Sequence, residues 1–224
     1  MKYLIFDAGP IISLTMNGML SVLEKLREHF DGEFIITPSV KNEVVDRPMK
    51  IKKYKLEAIQ VKNLIDRGIL KMSTKIISQD KLDRETKKII QTMNGVLLEP
   101  STNEKIDLIH KGEASCLAFS KLCGVDNLIV IDERSTRMMI ENPRALEEMM
   151  ERKLHTPLEI NNNLLNQLQK YKFIRSAELL FIAYKKSLIG LKQDKNLLDA
   201  LLYGVKFKGT AISSTEIEDM KKLI

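Results

Sequence analysis

The sequence predicts an α/β protein: a three-layer α/β/α fold with a central parallel sheet and a helical C-terminal extension. Three observations lead to that expectation. Two short runs of β-formers without helical period, KYLIF at 2–6 and NLIVI at 127–131, read as buried strands. Between them strand-like and helix-like patterns alternate, as they do when helices cover both faces of a mostly parallel sheet. Beyond residue 140 the patterns become almost wholly helical.

In chain order, Asp7-Ala8-Gly9-Pro10 ends the first strand as a turn. From Ile11 to Phe30, Ile12, Met16, Met19, Leu20, Leu23 and Leu26 recur at helical spacing, and Asp31-Gly32 stops the pattern. EFIIT at 33–37 is the second strand. Thr37-Pro38-Ser39 then opens a helix, with a capping hydroxyl before a proline whose missing N–H costs nothing at the first helical position. Residues 50–95 are Lys-rich and mainly helical, apart from ILKMSTKII at 69–77, whose alternation and β-branching suggest a strand. Gly112 introduces a helix that runs through Cys123 and closes at Gly124, ahead of the strand at 127–131. In the last third, Phe173, Ala177, Leu180, Phe181, Tyr184 and Leu188 share a helical face, and LLDALLYGV forms a second helical stretch. Ser213-Ser214-Thr215-Glu216 is a capping box that opens a third. The expected organisation is a core over 1–140 with a Lys-rich helical insertion at about 46–100, and a mainly helical extension over 141–224 packed on it.

A chain of 224 residues is long enough to bury a core without disulfides. Cys116 and Cys123 fall on one predicted helix with their Cα atoms about 10 Å apart, too far to bridge. They are expected to be reduced core residues of a cytoplasmic protein. The longest apolar run, Leu179 to Tyr184, is a third of the roughly 18 residues that a membrane span needs, so no membrane segment is expected. Asp7 interrupts the only stretch that resembles a signal peptide. With 44% hydrophobic and 29% charged residues, the composition excludes disorder.

The net charge of +6 permits a polyanionic partner and equally serves solubility. Residues 50–88 hold 12 Lys+Arg against 5 Asp+Glu, so the surplus belongs to one segment. Its lysines, Lys50, Lys52, Lys53 and Lys55 among them, form either a solvated face or the route of a nucleic-acid backbone.

The strongest chemical signal is positional. Asp7 and Asp132 each follow a predicted parallel strand at once, and ligands of open parallel sheets bind at the strands' carboxyl ends. Glu43 lies in the helix opened by TPS, and Glu113 at the start of the helix opened by Gly112. Taken singly, each acid reads as a cap or a helix-dipole partner. Four carboxylates at one sheet edge would repel by roughly 3 kcal/mol per pair at about 5 Å and an effective dielectric of about 20. Such a cluster persists only by holding a cation or keeping protons, and an all-oxygen site suits Mg²⁺ or Mn²⁺. The matching chemistry is metal-assisted phosphodiester hydrolysis. There is no G-x-S-x-G, P-loop or G-x-G-x-x-G, and His29, His110 and His155 lack metal-ligand spacing.

These acids also sit in contexts that resemble a known family. YLIFDAGPIISL, TPSVKNEV, HKGEASCLAFS and VIDERSTRMM resemble, in that order, the four motifs of a PIN domain, the ribonuclease fold of VapC-type toxins and many archaeal proteins. SAELLFIAYKKSLI with LLDALLYGVKFKGTAIS is similar to the tail of an archaeal and bacterial PIN-like group. The resemblance implies that Asp7, Glu43, Glu113 and Asp132 form a metal-binding acidic quartet, with Glu133 as a further acid. It implies a cytoplasmic Mg²⁺- or Mn²⁺-dependent endoribonuclease, toxin-like or RNA-processing, acting on RNA rather than DNA. Arg137 matches an arginine that often follows the last acid pair; with Lys111, Lys50, Lys52 and Lys53 it is expected to bind substrate phosphates. An antitoxin or other protein partner and a homodimer stay open. Ala8 and Gly9 leave no hydroxyl after Asp7, Glu133 stands where Asp is commoner, and the chain is longer than a compact toxin. The alternative is an RNA-binding or assembly module that keeps the fold with little catalysis.

Overall fold

The computed structural model describes residues 2–124, 127–168 and 170–224. In chain order the elements run β1 (Tyr3–Phe6), α1 (Ala8–Met16), α2 (Leu20–Glu28), β2 (Glu33–Ile36), α3 (Pro38–Lys41), α4 (Lys55–Asp66) and β3 (Leu70–Met72). They continue as α5 (Gln79–Met93), β4 (Leu97–Leu98), α6 (Lys111–Cys123), β5 (Leu128–Val130), α7 (Arg134–Glu141), α8 (Pro143–Leu154), β6 (Glu159–Ile160) and α9 (Asn162–Leu165). The last are β7 (Lys172–Ile174), α10 (Ser176–Lys185), α11 (Lys195–Phe207) and α12 (Ser214–Lys221).

Five strands form one sheet in the order β3-β2-β1-β5-β7, every pair parallel, with Leu4 opposite both Phe34 and Leu128. Helices flank this sheet, as the α/β/α expectation requires. Its strands are almost continuously apolar because both faces are covered. Leu4, Ile5, Phe6, Phe34, Ile35, Ile36, Ile129 and Val130 are all buried, each such side chain contributing about 1.5–3 kcal/mol. Phe6 and Phe34 meet across β1 and β2 with ring centroids 5.2 Å apart. β4 and β6 make a separate antiparallel pair. Among the described residues no helix is long and apolar enough to cross a membrane.

The structure differs from the sequence expectations at four places. Ala8, Gly9 and Pro10, expected as a turn, are the first turn of α1, which Asp7 caps. The single helix expected over 11–30 is two: the Asn17 side chain donates to Ser13 O at 2.8 Å, and Gly18 takes φ 67°, a turn that separates α1 from α2. Of ILKMSTKII only Leu70–Met72 is strand, because the N–H groups of Ile76 and Ile77 turn back to Ser73 O at 3.0 Å each. Phe173, expected on a helical face, belongs to β7, which pairs with β5 as an edge strand of the central sheet. The segments at about 46–100 and 141–224 therefore each supply one strand to the sheet, β3 and β7, at opposite edges. The Ser213 box forms as expected: Ser213 Oγ accepts from Glu216 N–H at 3.1 Å, and Glu216 Oε2 accepts from Ser213 N–H at 2.8 Å.

Candidate functional site

The C-terminal ends of β1, β2 and β5 point to one side of the sheet, and the loops there carry the acids. Asp7 leaves β1 as the N-cap of α1, its Oδ2 accepting from Gly9 N–H at 3.4 Å. Beyond β2, Thr37 caps α3 by accepting from Val40 N–H at 3.2 Å. The helix then widens into a π-helical turn over Asn42–Asp46 that contains Glu43. Such turns commonly mark functional positions. Glu113, in the first turn of α6, accepts from His110 N–H at 2.7 Å. Asp132 follows β5, and Glu133 caps α7 by accepting from the N–H and hydroxyl of Ser135 at 3.3 and 2.6 Å.

All five acids line one cavity of about 240 Å³, together with His110 and with backbone at Gly9, Gly112 and Gly209. Two contacts across the fold place them. Ser115 Oγ lies 2.6 Å from Thr37 Oγ1, which ties the start of α6 to the start of α3. Gly112 then lets Glu43 come close, since a Cβ there would stand 2.7 Å from Glu43 Oε1.

Burial dominates the electrostatics of the cavity. Burial, then the charge of Glu113, then that of Glu43 push Asp7 up to about 7, against the pull of the Ala8 and Gly9 N–H groups. Burial raises Glu43 despite Arg47 and His110, and raises Glu113 despite the hydrogen bond and charge of His110. Burial also raises Asp132, although three donors oppose it: Ser176 N–H at 2.9 Å and the hydroxyls of Ser176 and Thr210 at 2.8 and 3.0 Å. Neither Lys nor Arg lines this cavity among the described residues.

The donor set is all oxygen and suits a hard divalent cation. Convergence onto one ion, however, is not preformed: among the described residues no three His, Cys, Asp or Glu side chains stand together so as to hold a metal. The hydrogen bonds explain this. Asp132 has both oxygens engaged, while Glu133 and Glu113 each serve a local helix start. Asp7, Glu43 and Glu113, coupled through their charges, are the residues that would hold a cation once their side chains turned toward it.

The expected phosphate-binding residues are more scattered. Arg137 lies outside the acidic cavity; its Nη2 donates to Ala211 O at 3.4 Å, and it lines a different cavity with Glu141, Arg175 and Glu178. Lys111 is exposed at the first position of α6 and does not line the cavity. Lys50, Lys52 and Lys53 lie in two exposed 3-10 turns ahead of α4. Cys116 is a free buried thiol donating to Phe6 O at 3.5 Å, and burial pushes its pKa up, as suits a core position.

Sequence reading missed Ser176 and Thr210, which reach Asp132 from 44 and 78 residues away and leave no local pattern. Compared with family models, with curated proteins and with solved structures, the chain finds no match in any of the three.

Proposed function

We propose that the chain is a divalent-metal-dependent endoribonuclease of the PIN type, hydrolysing phosphodiester bonds in the acidic cavity. The observation that carries this reading is the meeting of Asp7, Glu43, Glu113, Asp132 and Glu133 around one cavity that no Lys or Arg lines among the described residues. Bound Mg²⁺ or Mn²⁺ would supply an activated water and offset charge on the phosphate. Asp7, Glu43 and Glu113 would hold that ion. Asp132, fixed by Ser176 and Thr210, has its orientation set by the fold and acts on solvent or on its neighbours' positions. Glu133 is exposed at the cavity mouth. The exposed lysines before α4 neutralise the incoming RNA backbone.

A second reading has one observation in its favour. Because no three metal-ligating side chains are preassembled among the described residues, the chain would also suit an RNA-binding or assembly role with little turnover. Incubating single-stranded and structured RNA with the protein in Mg²⁺, in EDTA, and with Asp7→Asn separates the two. Cleavage that needs both Mg²⁺ and Asp7 supports the nuclease. Salt-dependent binding without cleavage in any divalent ion supports the module.

A further inference from the structure

Next to the acidic cavity, sharing Ile12 and Glu43 with it, is an apolar groove of about 420 Å³ between α1, the turns at 48–54 and α4. That volume falls in the range of about 300–1,000 Å³ usual for small-ligand sites. Its walls are mostly hydrocarbon, and Ile51 and Tyr54 are 47% and 37% exposed, so it opens to solvent. Lys50, Lys52 and Lys53 are exposed in the turns that supply the lining residues Pro48, Ile51 and Tyr54, and make no ion pair among the described residues; the Lys53 ammonium sits 5.1 Å from the centre of the Tyr54 ring. One feature conflicts with this apolar character: Glu57 Oε2 is buried in the groove wall without a hydrogen-bond partner. An unpaired buried acceptor costs free energy, which a donor entering the groove would recover once the Glu57 side chain turned toward it.

We propose that the groove is a base slot for one nucleotide of a single-stranded RNA, selective for guanine through the Glu57 carboxylate. The proposal rests on the ribonuclease reading and names the substrate of that same site. The phosphates follow the exposed lysines of the 48–54 turns toward the acidic cavity, with Arg47 in the groove wall beside Glu43. The base stacks on Tyr54, a contact that any base can make. Guanine alone presents two adjacent donors, N1–H and N2–H, on its pairing edge, and a carboxylate accepts both. Adenine, cytosine and uracil each set at least one acceptor against it. An apolar helix or a second copy of the chain fits less well, because covering the groove with hydrocarbon would leave the Glu57 carboxylate without a donor.

Fluorescence anisotropy with labelled pentamers UUGUU, UUAUU, UUCUU and UUUUU, in an Asp7→Asn background with Mg²⁺, tests the slot. UUGUU is expected to bind about tenfold more tightly than the others, in keeping with a two-hydrogen-bond base contact. Adding Glu57→Gln brings UUGUU to within about twofold of UUUUU and leaves UUUUU unchanged, while Tyr54→Ala weakens all four by about tenfold. Equal affinities, or a guanine preference that survives Glu57→Gln, overturn the inference. So does binding of none of the four, including the case in which the chain sediments as a dimer that Ile51→Glu dissociates. Cleavage of the same pentamers by the unaltered chain keeps the two ideas apart. Guanine-selective binding without cleavage ends the nuclease reading and leaves the slot, whereas cleavage without base preference ends the slot and leaves the nuclease.

Discussion

Two groups of carboxylates in this molecule are held in opposite ways. At the starts of α10 and α12, Glu178 and Glu216 share the Arg175 guanidinium, which ion-pairs with Glu178, reaches Glu216 at 2.7 Å and donates to Ala211 O at 2.9 Å. Burial works against the charge on Glu216, yet Ser213 N–H and Arg175 hold it down at about 2. In the acidic cavity, burial dominates, and Asp7, Glu43, Glu113 and Asp132 are all raised. The contrast separates fold from site. Where a carboxylate joins helices, the chain supplies the cation. Where carboxylates line the cavity, burial leaves them holding protons, and on the proposed function a metal would take the place of those protons.

The largest expected effect that tests this contrast is at Asp7. Asp7→Asn should lower RNA cleavage by at least about 100-fold, the scale of losing one group that acts on transition-state charge. Its effect on stability has the opposite sign. The folded chain holds Asp7 at about 7, above the roughly 3.9 of an unfolded chain. Between those values the native state keeps a proton that the unfolded state has lost. Stability without metal therefore falls as pH rises from about 4 to 7, by on the order of 4 kcal/mol. Urea unfolding in EDTA at pH 5 and pH 8 should show about 2.5 kcal/mol of that fall in the unaltered chain and a smaller fall in Asp7→Asn, where Glu43, Glu113 and Asp132 remain raised.

A smaller effect is expected at Gly112. Its new methyl group in Gly112→Ala would displace the Glu43 carboxylate, the free end of a flexible side chain, while leaving the backbone in place. Cleavage should fall about tenfold with a stability change within about 0.5 kcal/mol, since no core contact is lost. Equal activity in Gly112→Ala would remove Glu43 from the site.

The smallest effect belongs to the paired group. Glu216 is half-exposed, so solvent screening limits Glu216→Gln to about 0.5–1 kcal/mol of lost stability at neutral pH, with cleavage unchanged. The folded pKa lies below the unfolded one, so this contribution is present above about pH 4 and vanishes as pH falls toward 2. The unfolding free energies of the two chains should therefore converge at low pH.

What could be read from the sequence was local. KYLIF and NLIVI ending in Asp, the Thr37-Pro38 opening and the Ser213 box each contain their own signal within a few residues, and each appears in the fold. The break at Gly18 was less visible, because apolar spacing continues across a turn that depends on one backbone angle. β7 was masked because Phe173 also fits the helical spacing of α10, and only pairing with β5 identifies it as strand. The acids were found through their positions after strands. The hydrogen bonds of Asp132 to Ser176 and Thr210, and the π-helical turn beneath Glu43, come from tertiary packing and leave no trace in local pattern.

Calorimetric titration of Mn²⁺ into the chain at pH 8 addresses the central claim most directly, with Asp7→Asn, Glu113→Gln and Glu216→Gln measured beside it. The account predicts saturable binding to the unaltered chain and to Glu216→Gln, and its loss in Asp7→Asn and Glu113→Gln. No binding to the unaltered chain, or binding that persists without Asp7, would contradict it.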